Sequence, residues 1–504
     1  MNQNKGAETA AVVGAYGGSR IWLYATWIGL AAGLMVYAQT FAFTDDEGFH
    51  LMAAQLIKAG KRPYLDFCFN QTPLNAYWNA FWMRLFGESW RTAHALAALE
   101  TCAAVVLAGQ FVLARLPERS WRLGGSMAAT LMIGCTTNLV AFGPLAQAYG
   151  MCLFTTVCAF RLAVRAVERP RWWLAAAAGL FAGAGAASSL LTAPVAPLLL
   201  VWVWRSNRAG SRWIKAGSVA LGAAVPFLPV FWLFVKSPWV VWFNLVEYHV
   251  VYRAAVNWPH PLAHDLEELT GWIVDPQSLL LGLLATFGVI YIRRRSGWSR
   301  ERRAEFYLCG WLALAMAAEI ASAHPTFARY FCLLAPFVGI LAVPGLYAIG
   351  SRVLQPEKPL WPVLIVSVIM AGGLARNLWD RSTTTYNWAD YEDIGRKLAG
   401  VTPPGKLMFA EEELYFLTQR RPSYGLEFQS SQRLDLPAER LAALHVTPES
   451  ELRALLAAGT FWSAATCDED MISDYDLDKI FQQEVKVHDC PVYWNPKPSS
   501  PSRK

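Results

Sequence analysis

The sequence predicts an all-α polytopic membrane domain of about eleven transmembrane helices, with interfacial helices in its first long loop, followed by a small C-terminal α/β domain. Three observations predict it. Of 504 residues, 55% are hydrophobic and only 16% are charged, well under the roughly 25% charged residues of a soluble domain. The 23 Trp residues are an excess of a side chain that favours membrane–water interfaces. Charge is also unevenly divided, with 14 basic and 20 acidic residues from 380 onward against 30 basic and 18 acidic before it. A basic membrane part joined to an acidic tail points to two compartments and away from nucleic-acid binding.

The elements follow in order. Residues 1–20 are polar and Gly-rich, with no cleavable signal, and read as a cytoplasmic tail. Apolar stretches place spans near 21–43, 92–114, 123–141, 146–167, 172–188, 190–204, 214–235, 278–292, 306–322, 330–348 and 360–377. The fifth and sixth come from one continuous apolar run, which reads either as one tilted helix or as a hairpin. Loop charge decides between them. Five connections, beginning with "RLPERSWR" at 115–122 and ending with "SRVLQPEK" at 351–358, hold 19 basic residues, while the short connections alternating with them hold only Arg329. The hairpin puts all five basic loops on the cytoplasmic face, as the positive-inside rule requires. Loops 44–91 and 236–277 and the tail 379–504 then lie outside, with 21–378 forming the membrane domain.

The first outer loop carries an unusual charge pattern, "FAFTDDEGFH" at 41–50. Thr44 reads as an N-cap with Glu47 three residues on, a capping box, and acids there complement the helix dipole without any catalytic role. In "TPLNAYWNAFWMRLFG", Leu74, Tyr77, Trp78, Phe81, Trp82, Leu85 and Phe86 recur at helical spacing, an aromatic face suited to the interface. Between the two lies a Pro-fixed turn with Lys61 and Arg62. Carboxylates, cations and an interfacial helix in one outer loop suit a lipid substrate with an anionic head. Farther on, His324 and Arg329 open a span. Arg329 reads as a headgroup anchor or as a phosphate clamp. Glu100 and Glu319 lie within spans, where ionisable groups are functional candidates. Of nine Cys, Cys68, Cys467 and Cys490 are expected to reach water, and none shows zinc spacing.

At "DDEGFHLMAAQLIKAGKRPYLDFCFNQTPLNAYWNAFWMRLFG" the chain resembles the first outer loop of the GT-C integral-membrane glycosyltransferases, in the bacterial branch related to protein O-mannosyltransferases and lipid A aminoarabinose transferases. Asp46-Glu47, Gly60 to Phe67 and Pro73 to Gly87 carry the match, and "RYFCLLAPF" is similar to a late segment of that family. The tail piece "VTPPGKLMFAEEELYFLTQRRPSYG" resembles the start of the family's soluble domain. The resemblance implies a bacterial inner-membrane enzyme moving a sugar from a polyprenyl-phosphate donor to a hydroxyl of a lipid, glycan or protein acceptor, with inversion. It implies Asp46 as catalytic base, Asp45 and Glu47 as substitutes or acceptor-orienting groups, and Arg329 with Lys61 or His324 on the donor phosphate. His50, Arg62, Gln71 and Glu319 are further candidates. Some relatives hold a divalent metal through an acid in the second outer loop. Here that loop reads "AFGPLAQAYG" with Gln147 and no acid, which counts against a bound metal, and no cofactor is assigned.

The rival reading is a transporter or flippase using Glu100 and Glu319, though no inverted repeat is visible. A non-catalytic assembly partner is a third. In the tail, "WADYEDIGRKLAG", "PAERLAALH" and "ESELRALLAAG" read as helices, and "KLMFA", "TFWSAAT" and "QQEVKVHD" as strands. Its two thiols, Cys467 and Cys490, are separated by the loop-like "DEDMISDYDLDK", and an oxidising compartment permits a bridge between them.

Overall fold

The computed structural model describes residues 3–44, 46–169, 171–207, 209–255, 261–323, 325–353, 359–423 and 425–497. Among these residues, eight helical segments are long and apolar enough to cross a membrane: Arg20–Phe41, Trp90–Arg115, Tyr149–Glu168, Ser211–Lys236, Pro276–Arg294, Arg300–Ser322, Ala328–Val353 and Leu360–Ser382. The chain is a multi-pass membrane protein. Three of the eleven expected spans fall below span length. The expected span 123–141 is interrupted at Cys135–Thr136 into Arg122–Gly134 and Thr137–Phe142. The run 172–204 divides at Ser189, whose extended backbone ends Trp172–Ser188, and resumes as Val195–Ser206.

The chain forms two compact units, one of Met1–Gln39, His94–Phe227 and Pro261–Thr383, the other of Thr40–Ala93, Leu228–His260 and Thr384–Lys504. In the first, the basic connections are knitted together. Arg115 pairs with Glu168 and lies 3.5 Å from Glu305, which Arg302 holds at 2.8 Å. Glu118 accepts from Tyr291 and Trp298 at 2.7 and 3.0 Å. The Lys215 ammonium reaches back to the carbonyls of Ala166 and Arg169 at 2.6 and 3.1 Å. Residues 166–169 and 215 therefore share one side of this unit, so the chain between them goes out and returns. Tight crossings hold the helices. A Cβ on Gly345 would overlap the Leu284 carbonyl, and one on Gly288 the Leu341 carbonyl, so Pro276–Arg294 and Ala335–Val353 approach backbone to backbone, as small residues permit in lipid.

The second unit gathers the first long loop, residues 228–260 and the tail around one core. Phe49, Tyr64, Phe67 and Phe69 from the loop pack with Phe243 and Tyr248 and with Tyr391, Leu414 and Tyr415 of the tail. Cys68 belongs to this core and is not water-accessible as expected. Its thiol lies 3.5 Å from the Asn244 side chain, and burial pushes its pKa up to about 12. The helix Leu74–Phe86 turns Asn75 and Asn79 inward and leaves Trp78, Phe81, Leu85 and Phe86 exposed. Its aromatic face is thus the outer one, available to an interface.

The tail carries a four-stranded sheet, β1 Leu407–Ala410, β2 Phe461–Ala465, β3 Phe481–Val487 and β4 Cys490–Pro496, in the order β1-β2-β4-β3. β1 and β2 run parallel and the other pairs antiparallel. β3 and β4 are joined by His488 and Asp489, both at positive φ, the two-residue turn whose twist suits a hairpin. The expected loop before β3 instead folds into the short helices Glu469–Asp474 and Leu477–Ile480. Cys467 and Cys490 are joined by a disulfide across 23 residues of sequence. Replacing both with Ser is expected to lower stability by about 3 kcal/mol; chemical denaturation of the detergent-solubilised protein, with and without reductant, measures it.

Candidate functional site

The loop helix begins two residues later than a Thr44 cap would place it. It spans Glu47–Lys58, and the residue at its N-cap position is Asp46, at φ 55° and with no side-chain bond to the helix amides. Asp is among the few residues that adopt this left-handed conformation readily. Thr44 is buried, and its side chain bonds to Tyr391. The capping box fails because its second member is engaged elsewhere. Glu47 is fully buried, and its Oε2 accepts from the Trp388 indole at 2.8 Å. The free first-turn amide of Gly48 donates instead to Glu413 Oε1 at 3.2 Å.

Glu413 belongs to a run that sequence reasoning did not single out as functional, Glu411-Glu412-Glu413. It follows directly on β1, and all three side chains are buried. Glu411 is saturated: Oε1 accepts from the Thr466 hydroxyl and the Cys467 amide, both at 2.6 Å, and Oε2 from the Tyr391 hydroxyl at 3.0 Å. Glu412 Oε1 accepts from the Gln429 amide at 2.8 Å. Burial raises the pKa of all three. Glu412 is pushed up to about 7, with the charges of Glu411 and Asp46 adding to the effect of burial. The Asp46 charge is thus one of those felt at the buried acids, of which Glu412 is the one it raises. The sequence signal was there: three acids opening a helix straight after a strand, in a stretch already noted for its resemblance.

The rest of the loop divides by role. Arg62 is committed to Asp66, its guanidinium bonding both carboxylate oxygens at 3.0 and 2.8 Å, which closes the turn. The Gln71 carbonyl accepts from the Tyr64 hydroxyl at 2.7 Å and fixes the turn's far side. His50 is buried, its ring edge-on to Phe69. Lys61 is exposed, and its charge favours the ionised form of Glu427. Asp45 lies outside the described residues.

Arg329 belongs to the other unit. The helix Pro261–Val274 holds the segment that carries it: Asp265 accepts from the Thr326 amide at 2.7 Å and Glu268 from the Ala328 amide at 2.8 Å. Trp272 stacks on Phe331 at 4.5 Å, and the Asn138 amide holds the Ala328 carbonyl at 2.9 Å. The Arg329 guanidinium lies 4.2 Å from the Phe327 ring centre. The acids near the end of loop 236–277 therefore order the backbone on which Arg329 stands. His324 lies outside the described residues. Glu100 and Glu319 are half-buried. Gln147 is buried, and its amide nitrogen has no partner among the described residues. Among the described residues, no three His, Cys, Asp or Glu are grouped to hold a metal ion.

The fold is shared with solved membrane transferases. ArnT from Cupriavidus metallidurans, bound to undecaprenyl phosphate, aligns over 94% of this chain and 99% of its own, with a TM-score of 0.66 at 14% identity. Its apo state aligns with a TM-score of 0.65, also at 14% identity, over 95% of this chain and 100% of its own. The oligosaccharyltransferase of Archaeoglobus fulgidus in its apo form aligns over 89% of this chain and 70% of its own, with a TM-score of 0.55 at 12% identity. These are GT-C membrane glycosyltransferases, and the chain has their fold. No protein-family model and no curated protein matches its sequence.

Two outcomes test this geometry. A Cβ at residue 48 would overlap the Glu413 carboxyl and its backbone nitrogen, so Gly48→Ala should cost about 1–3 kcal/mol of stability; thermal or denaturant unfolding reads it. The second concerns pH. Glu412 has a folded pKa of about 7 against the 4.5 of a freely solvated glutamate, so the folded form binds more protons between these values, and stability falls as pH rises through that window. Glu412→Gln should flatten the slope, by up to about 3 kcal/mol across it. Unfolding curves from pH 4.5 to 8 for both proteins measure this.

Proposed function

We propose that the protein is a membrane glycosyltransferase that moves a sugar from a polyprenyl-phosphate donor to an acceptor hydroxyl of a lipid, glycan or protein. The observation that carries this reading is the fold shared with a transferase captured with undecaprenyl phosphate; Asp46 at the start of the first-loop helix supports it, its charge being felt at the buried Glu412. In this mechanism the Asp46 carboxylate takes the acceptor proton as the acceptor oxygen attacks the anomeric carbon. The bond from that carbon to the phosphate oxygen breaks, and the polyprenyl phosphate departs with the electron pair. A single displacement inverts the centre. Arg329, with Lys61 or His324, offsets the charge that grows on the leaving phosphate.

The reaction side follows from loop charge. With the 19 basic residues of the five connections in the cytoplasm, the N-terminus is cytoplasmic and the tail lies in the periplasm or outside the cell. The Cys467–Cys490 bridge supports that placement, since disulfides persist in oxidising compartments. Nucleotide sugars are not expected there, so a lipid-borne donor is the fitting one.

The test is transfer from labelled polyprenyl-phosphate sugars in membranes carrying variants. Asp46→Asn should abolish transfer while expression and unfolding stay at wild-type levels; near-normal turnover defeats the assignment. Arg329→Ala should weaken donor use by about 2–5 kcal/mol if its phosphate contact is desolvated, read as the loss in kcat/KM for the donor. Loss of lipid or solute transport in Glu319→Gln with no transferase activity in the wild type would instead identify a carrier.

A further inference from the structure

A second polar site lies in the tail-bearing unit. It is an open cavity of about 440 Å³, bounded by Asp66 of the first-loop turn and by tail residues between Gly425 and Glu451. That volume falls in the range of roughly 300–1,000 Å³ typical of small-molecule sites. Its walls are built to close tolerance. Gly425 is at φ 66°, and a Cβ there would overlap the His445 carbonyl. His445 itself stands at φ 59°, and its Nε2 bonds to the Leu65 carbonyl at 2.8 Å. The wall from the tail is thereby fastened to the same turn that Arg62 and Asp66 close.

The lining chemistry narrows what fits. Asp66, Glu427 and Glu451 contribute carboxyls and Thr447 a hydroxyl, so hydrogen-bond acceptors dominate and an anion is disfavoured. Nor does the cavity call for a cation. Asp66 already has the Arg62 guanidinium, and Glu427 has Lys61 nearby and is pushed up to about 7 by burial. Of the three, only Glu451 is exposed and without a compensating cation in this set. Ala438, Ala442 and Val446 supply an aliphatic wall. Acceptors that can receive adjacent hydroxyls, together with methyl groups that can face ring C–H, suit a neutral polyhydroxylated ring.

We propose that this cavity binds a neutral sugar ring. The inference goes beyond the transferase reading and gives the tail-bearing unit a glycan-binding site of its own. The test is saturation-transfer NMR on the full-length protein in detergent, with methyl β-D-glucoside and methyl α-D-mannoside as probes and glucosamine as the cationic comparison. Wild type should transfer saturation to the ring protons of at least one methyl glycoside. Ala442→Trp places a large ring on an exposed position of the cavity wall, and binding should be about tenfold weaker or lost; Ala438→Trp, on the same wall, replaces it if unfolding shows Ala442→Trp to be destabilised. Glu451→Gln should weaken binding severalfold. No saturation in wild type, equal saturation in the Trp variants, or saturation from glucosamine alone that salt abolishes would overturn the proposal. Asp46→Asn should keep the saturation signal while losing transfer, so failure of this site and failure of the transferase reading give different results.

Discussion

The first turn of the helix Glu47–Lys58 has no cap of its own, and the tail-bearing unit is organised around that deficit. An unsatisfied amide in a buried setting costs about 1–3 kcal/mol, and so does a buried carboxylate without a donor. The chain solves both with one juxtaposition: Gly48 gives its amide to Glu413, and Glu47 receives the indole of Trp388. The side chain of residue 48 has to be absent for this to happen. Asp46, released from capping, sits in a left-handed conformation at the edge of the buried acids. The tail is thus part of the structure that sets the catalytic candidate, whereas packing over the loops would have been its simplest role.

Much of the fold was legible because lipid imposes strong rules. Spans announce themselves by length and apolarity, and loop charge fixed the parity around 172–204, a reading that the Lys215 contacts to Ala166 and Arg169 support. The break inside the expected span 123–141 escaped notice because composition stays apolar there while the backbone turns extended at Thr136. Strand β4 was missed because Pro491 and Pro496 at its ends read as turn residues. The helices within "DEDMISDYDLDK" were missed because acids mask a short helical pattern.

The site was legible by halves. The local pattern marked Asp46 and Glu47 but misjudged the capping, because Trp388, the partner of Glu47, and Glu413, the partner of the Gly48 amide, lie 341 and 365 residues away in sequence. Glu411–Glu413 look like a solvated run, and only the tertiary packing of β1 buries them. Arg62 shows the opposite case. A cation in an outer loop suggests a ligand, yet Asp66 four residues on already takes it. Short-range sequence pairs of this sort are readable in principle; partners hundreds of residues distant are not.

The helix Leu74–Phe86 has a consequence for how the protein meets its bilayer. Its indole and phenyl rings face outward, so in a membrane their preference for the headgroup layer acts as a float. The float is tethered to the Asp46-bearing helix through Glu88, which takes Gln55 and Lys58 at 2.6 Å each, and through the Arg84 contact to the Lys58 carbonyl. The height of the Asp46 carboxylate is therefore referenced to the lipid surface itself. Swelling or thinning of the hydrocarbon layer then carries that helix with it, at a constant height relative to the headgroups.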